Sequence, residues 1–514
     1  MSAESSVSYS SRLAIRSAYN FFRLNKLVVL MVSGLLLMPC FWHSRIEAGD
    51  LGSHVYNAWL AQLIEHHQLP GLSIAFQCSN VLFDLLLLRT GNLFGFVVAE
   101  KIVVSFAVLV FFWGCFSFLA RASGKTPWLL TPFLWMLAYG YAFHVGFMNY
   151  YLSLGIAFSA LAVAWRGGAG NWVVAGVLSV VSFLAHPIGL LLAVALAAYI
   201  LIWRSLGGWM RLWLPAIALV VFVLLRVFFA SHDSYAADWR EFGFFQLLGQ
   251  DQLDLFGYRY VVLAWLVLDW TVFCVLAAIY DWVFRTNPPR RSLRFAAEVY
   301  IVAVIVTVCL PENFRVSLYA GWVGLLVSRL TLVTAVLGLL VLASLRLPRW
   351  TLYGNTLLAL AFFIFLYQDT GKLNRFEASA HTVIQALPFG TRIVAVANPP
   401  GDWRIQFIYH SIERSCIGHC FSFANYEPSS LQFRVRALPG NYFVTTSVDQ
   451  SDDMASGDYI VRQQDLPLTS IYQCNDDDFT QLCALPLREG QKTEDPESEP
   501  VPVPFRDAAS DTEN

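Results

Sequence analysis

The chain has 514 residues, of which 57% are hydrophobic, 15% aromatic and only 14% charged, and its formal net charge is −2. A charged fraction well under the roughly 25% of average soluble domains excludes an ordinary soluble protein. With no basic excess, nothing in the charge points to nucleic acid.

Apolar runs near or above the roughly 20 residues needed to cross a bilayer recur along the first 367 residues. Spans are predicted near 27–43, 94–120, 128–144, 147–165, 171–185, 187–203, 211–230, 260–283, 296–310, 318–345 and 351–367, about eleven in all. The first run lacks a small-x-small cleavage site, and in "LMPC", ending at Cys40, proline stands where a lipoprotein signal needs a small residue. That segment is therefore expected to stay as an anchor.

Basic residues set the orientation. With the N-terminus inside, the inner segments hold Arg12, Arg16, Arg23 and Lys26, then Arg121, Lys125, Arg166, Arg204 and Arg211, and later Arg285, Arg290, Arg291, Arg294, Arg346 and Arg349. The outer loops before residue 368 hold only Arg45, Arg89, Arg240, Arg259 and Arg315. This asymmetry follows the positive-inside rule, and an odd number of spans sends everything after Tyr367 outside as well.

The first outer segment reads "EAGDLGSHVYNAWLAQLIEHHQLPGL" from Glu47 to Leu72. Continued as a helix, it places Glu47, Asp50 and His54 at i, i+3 and i+7 on one face. Val55, Trp59, Leu63 and Ile64 then form an apolar face beside Asn57, Gln62, Glu65, His66 and His67, the pattern of a helix lying in the membrane interface. Proline and glycine in "HHQLPG" end it. Residues 74–92 are expected to form a second interfacial helix.

Further outer-edge polar residues, His144, Asn149 and His186 before Pro187, are read as structural. The loop from Ser231 to Arg259 is long, aromatic and acidic, and suits either a cap over a cavity or an interfacial element.

Past the membrane the period changes. "TRIVAVAN" (391–398), "FRVRAL" (433–438), "NYFVTTSV" (441–448) and "DYIVRQ" (458–463) read as short strands, after a helix over 374–387 that ends at Pro388. That order predicts a small α/β domain. From about Glu489 the chain turns acidic and proline-rich and is expected to be a disordered tail. The chain thus divides into an N-terminal cytoplasmic segment (1–26), a multi-span membrane domain (27–367) with outer loops 44–93 and 231–259, an extracytoplasmic α/β domain (368–488) and the tail (489–514).

Of the nine cysteines, Cys40, Cys78, Cys115, Cys274 and Cys309 lie in or beside apolar runs, where a lone cysteine is usually packing. Cys416, Cys420, Cys474 and Cys483 all fall in the outer domain, which predicts disulfides. The expected pairing is Cys416 with Cys420 and Cys474 with Cys483, crossed pairing being the alternative. Four free thiols, or a Cys-x-x-His-Cys metal cluster in "CIGHC", is the opposing reading. No internal repeat, phosphate-binding loop, dinucleotide fingerprint, zinc-protease motif or nucleophile elbow occurs.

An acidic residue just beyond the first span, an amphipathic interfacial helix and a Pro-Gly turn, followed by many spans and an outer C-terminal domain, resemble the membrane glycosyltransferases of the GT-C superfamily. The chain is similar in particular to bacterial proteins related to protein O-mannosyltransferases and aminoarabinose transferases. Many members carry Asp-Glu or Asp-x-Asp in this loop, whereas this chain has Glu47-x-x-Asp50.

The resemblance implies a polytopic α-helical membrane protein of the bacterial cytoplasmic membrane. It implies transfer of a sugar from a polyprenyl-phosphate donor to a glycan, lipid or protein acceptor, usually with inversion. Asp50 is then the expected base for the acceptor hydroxyl, with Glu47 orienting it and His54 as a weaker catalytic candidate. A divalent metal is compatible with the resemblance, its ligands being unassigned.

A phosphate leaving group also needs positive charge, for which Arg240, Arg259 and Arg315 at outer span ends and Arg329 within an apolar run are candidates. Lipid-headgroup snorkelling for the first three, and an ion pair for Arg329, are the structural alternatives. Other classes use similar architectures: a transporter or flippase, for which two related halves with broken helices are missing; a lipid-linked glycan polymerase or ligase; and a non-catalytic protein whose outer domain binds a partner.

Overall fold

A computed structural model describes residues 25–231, 235–239, 243–285, 292–316, 322–406, 408–430, 432–475 and 478–494. In chain order the first elements are α1 (Lys26–Phe41), α2 (Leu51–Glu65), β1 (Leu72–Ile74), α3 (Leu82–Phe94), α4 (Phe96–Ser123), α5 (Thr131–Ala138) and α6 (Tyr141–His144). There follow α7 (Met148–Ala164), α8 (Ala169–Ala185), α9 (Pro187–Ser205), α10 (Trp213–Ser231), β2 (Tyr235–Asp238), α11 (Phe244–Leu248), α12 (Tyr258–Arg285) and α13 (Ser292–Cys309). After β3 (Asn313–Val316) and β4 (Trp322–Val323) come α14 (Leu326–Ser344), α15 (Thr351–Gln385) and β5 (Arg392–Val396). The last are α16 (Tyr409–Ser415), β6 (Phe421–Ser422), α17 (Tyr426–Ser429), β7 (Val435–Ala437), α18 (Val448–Ser456), β8 (Thr469–Gln473) and β9 (Leu482–Pro486). They fall into two compact units: 1–48, 77–370 and 402–405 form the first, and 49–76, 371–401 and 406–514 the second.

Seven helices among the described residues are long and apolar enough to cross a membrane, six within the first unit and the seventh starting there. They are α4, Gly208–Phe228 leading into α10, α9, α12, α13, α14 and α15, while α1, α7 and α8 are apolar but shorter. The reason is composition: runs of Leu, Val, Phe and Ala with few charges satisfy their backbone internally and bury side chains against neighbours or lipid. Helices α4 and α7 approach so closely that a Cβ on Gly114 would stand 2.1 Å from the Gly155 carbonyl oxygen, the small-residue contact typical of membrane helices.

Three expected segments are altered, one of them by fusion: the 351–367 span and the helix expected over 374–387 are one continuous helix, α15. The 128–144 run is broken into a 3-10 turn (Trp128–Leu130), α5 and α6. The chain turns at Gly140, where a Cβ would meet the Gln252 carbonyl oxygen at 2.8 Å. The 318–345 run begins as a helix only at Leu326, because β3 pairs antiparallel with both β2 and β4.

The second unit has a four-stranded sheet of order β6-β5-β8-β9, parallel except for the antiparallel β8–β9 pair. Val394 of β5 packs with Phe423, Met454, Tyr459, Val461 and Leu468 in its core. Separately, β1 pairs antiparallel with β7, Leu72 opposite Ala437. Residues 441–448 form no strand: the Asn441 side chain accepts from the backbone N–H groups of Phe443 and Val444, and Ser447 caps α18. Such local side-chain bonds compete with a sheet ladder. Residues 458–463 contribute only an isolated bridge, Ile460 to Lys492. The start of the expected tail is therefore folded, with Thr493 N–H donating to the Tyr459 carbonyl and fully buried.

Candidate functional site

The segment after α1 is not the helix expected. Helix α2 starts at Leu51 with Asp50 as its N-cap residue, so Glu47 precedes it and does not share a helix face with Asp50 and His54. Nor does α2 present a polar face to water. Its residues 51–61 are all buried within the second unit, polar Ser53, His54 and Asn57 included. Those polar groups have designed partners. Ser53 Oγ donates to Glu427 Oε1 at 3.1 Å, Asn57 and Asn425 exchange hydrogen bonds, and the Tyr56 hydroxyl accepts from Ser422 N–H at 2.9 Å. Of the second interfacial helix expected over 74–92, Ile74 is the last residue of β1 and helix begins only at Leu82, in α3.

This packing places Asp50 against α16. In "YHSIERS", His410 and Glu413 are at i and i+3 and lie on one helix face. His410 Nδ1 is 2.7 Å from Glu413 Oε2, and its Nε2 is 3.6 Å from Asp50 Oδ1. Ser422 Oγ donates to the second Glu413 oxygen at 3.1 Å. The His410 and Glu413 side chains are 1% and 3% exposed, whereas that of Asp50 is 22% exposed. The cluster is thus a line of acid, imidazole and acid that opens toward solvent only at Asp50.

The Tyr409 ring lies 4.2 Å from the His410 ring, centroid to centroid, and that of Tyr426 5.5 Å away. Burial, and after it the Asp50 carboxylate, pushes both phenols up, so they stay neutral and able to donate. For His410, burial pulls the imidazole down, but the charge and hydrogen bond of Glu413 and the charge of Asp50 push it up against a smaller opposing effect of His54, and the net direction is up. Perturbed, partly buried acid–base clusters of this kind mark functional sites more often than chance. His410 and Glu413 were not singled out in the sequence; the one signal was a histidine and a glutamate at i, i+3 in a short polar helix.

The other candidates are dispersed. Glu47 is buried in the first unit, where its backbone carbonyl accepts from His144 Nδ1 at 2.8 Å. Arg259 is committed to Asp369, whose carboxylate also accepts from Tyr260, and to Gln368 at 2.8 Å. Arg329 sits in the first turn of α14 rather than in mid-span, donating to the Gly324 carbonyl at 2.7 Å and lying 4.2 Å from the Phe147 ring centroid. Arg240 lies outside the described residues, and of Arg315 only the backbone is described, within β3. In the 231–259 loop, Gln252 is buried and bonded to Thr331 and the Ser328 carbonyl, and Asp251 to Thr331, which anchors its end.

Asn149 and His186 have structural duties, the first bonding Phe83 N–H and Asp84, the second capping α9. The four cysteines of the second unit stand in two pairs at disulfide distance, Cys416–Cys420 with Cα atoms 4.6 Å apart and Cys474–Cys483 at 5.6 Å. Among the described residues no group of three or more His, Cys, Asp or Glu is placed to hold a metal ion.

No family model, curated protein or solved structure matches this chain. What fold and cluster define is a class: a polytopic helical membrane protein that also carries a compact unit with an acid–imidazole–acid line, buried except at Asp50.

Proposed function

We propose that the protein is a membrane glycosyltransferase that moves a sugar from a polyprenyl-phosphate donor to an acceptor hydroxyl at the outer face of a bacterial cytoplasmic membrane. The single observation that carries this reading is Asp50, a partly exposed carboxylate backed by buried His410 and Glu413. Two features support it further. The apolar helices give a lipid-linked donor a place to partition, and Asp50 follows the first apolar helix by only nine residues, 41 to 50.

In the transfer, the acceptor oxygen attacks the anomeric carbon as the bond from that carbon to the phosphate oxygen breaks. The electron pair leaves on polyprenyl phosphate, and the hydroxyl proton passes to Asp50. A carboxylate serves because the proton becomes acidic only as the new bond forms, and general-base help of this kind is worth typically 10² to 10⁴-fold. Asp50 with the neutral phenols of Tyr409 and Tyr426 supplies an acceptor and two donors in one place. The test is incubation of the purified full chain with radiolabelled polyprenyl-phosphate sugars and a panel of glycan, lipid and peptide acceptors. Turnover of at least one donor is expected, and none with any donor would remove the reading.

A further inference from the structure

We propose that His410 acts as a fixed imidazolium that positions Asp50, with Glu413 as its anchor. It is a positioning residue, and the proposal rests on the transferase reading only for what Asp50 does once positioned. Each ring nitrogen of His410 faces a carboxylate oxygen, Nδ1 that of Glu413 at 2.7 Å and Nε2 that of Asp50 at 3.6 Å. An ionised carboxylate only accepts, so Nδ1 donates to Glu413, and a charged ring is what lets Nε2 attract Asp50 as well. The second distance is that of an ion pair rather than of a direct hydrogen bond.

Burial makes this arrangement consequential. A buried charge is retained when paired and hydrogen-bonded, and Glu413 is itself held by Ser422. The charged groups facing His410 are Glu413 on its own helix and Asp50 and His54 from the segment opening α2; Tyr409 and Tyr426 flank its ring. Two carboxylates therefore bracket one imidazolium. The charge on the ring pulls on Oδ1 and holds the Asp50 carboxylate toward His410. The steric fit adds to this, since Gly52, two residues after Asp50, lets α2 approach the His410 carbonyl to where a Cβ would stand only 2.2 Å away.

The test is titration of the histidine ring resonances in the purified full chain, labelled in histidine and assigned with His410→Gln. Glu413→Gln and Asp50→Asn, which keep size and most hydrogen bonding, are titrated alongside. His410 is expected to titrate above the ordinary histidine value, and Glu413→Gln to lower it by about 1–3 units, the effect of an adjacent opposite charge. A ring that titrates at or below the ordinary value, or that ignores Glu413→Gln, overturns the proposal.

A kinetic arm separates positioning from packing. His410→Gln is expected to lower kcat with little change in KM and to move the acidic limb of the pH profile upward, because Asp50 loses the neighbouring positive charge. An unmoved acidic limb also overturns the proposal. Absence of wild-type turnover would instead remove the transferase reading, and the ring titration would still decide the pairing of His410 with Asp50.

Discussion

His410 Nε2 and Asp50 Oδ1 stand 3.6 Å apart although 360 residues separate them in the chain, with Glu413 2.7 Å from the other ring nitrogen. The pairing makes folding of the second unit depend on pH. Because the imidazole is raised above its ordinary 6.5, its contribution to stability is fully present below that value and lost as pH rises through the higher folded-state value. The unfolding midpoint of the wild type should therefore fall as pH is raised through that window, and Glu413→Gln should flatten the dependence. Thermal unfolding at a series of pH values checks this; a midpoint that rises across the window contradicts it.

The Glu377–Arg414 pair, both side chains under 5% exposed, is bidentate, with Arg414 Nε donating to Glu377 Oε1 at 3.0 Å and a second bond from Nη2 to Oε2. Removing one partner leaves a buried uncompensated charge, so Glu377→Gln should destabilise the unit by about 3–5 kcal/mol. A change within about 0.5 kcal/mol, the range of an ordinary surface substitution, would show the pair to be solvated in solution.

Gly52→Ala tests the close approach of α2 to α16. Its Cβ would stand 2.2 Å from the His410 carbonyl oxygen and 2.6 Å from the carbonyl carbon, backbone atoms that cannot swing away. The expected cost is about 1–3 kcal/mol, as for other overpacked sites, together with a shift of the His410 ring resonances toward those of Asp50→Asn. Wild-type stability and resonances in this variant would show that the helices do not pack this tightly.

Much of the first unit was legible because an uncharged apolar run has few ways to satisfy its backbone. The ends of α4, α8 and α9 fall within a few residues of the expected spans. What failed is equally physical. The 128–144 run reads as one span, but its break depends on Gly140 meeting the Gln252 carbonyl, a contact invisible in local sequence. Helix α2 has an amphipathic pattern, yet Asn57 and Ser53 are satisfied by Asn425 and Glu427 more than 360 residues away. The strands β8 and β9 were missed because "TSIYQ" and "LCALP" are too short and mixed to alternate clearly. Of the acid–base line, only Asp50 was visible, since acids just past a span attract notice and a histidine in a short polar helix does not.

Topology has its own test. Alkaline phosphatase fused after Leu373 should be active and one fused after Arg291 inactive, as the positive-inside asymmetry requires. The reverse pattern would put Asp50 on the wrong side for an outer-face base. In the same preparations, peptide mapping without reduction should recover Cys416 joined to Cys420 and Cys474 joined to Cys483, whose sulfurs already lie at bonding distance. Four alkylatable thiols would contradict an oxidising compartment.

If Asp50 takes the proton in sugar transfer, turnover of a radiolabelled polyprenyl-phosphate sugar should differ between wild type and Asp50→Asn at matched folded concentration. The substitution preserves size and much of the hydrogen bonding while removing proton affinity, so the rate should fall by roughly 10² to 10⁴-fold with donor binding retained. Equal rates would contradict the account and remove Asp50 from the chemistry.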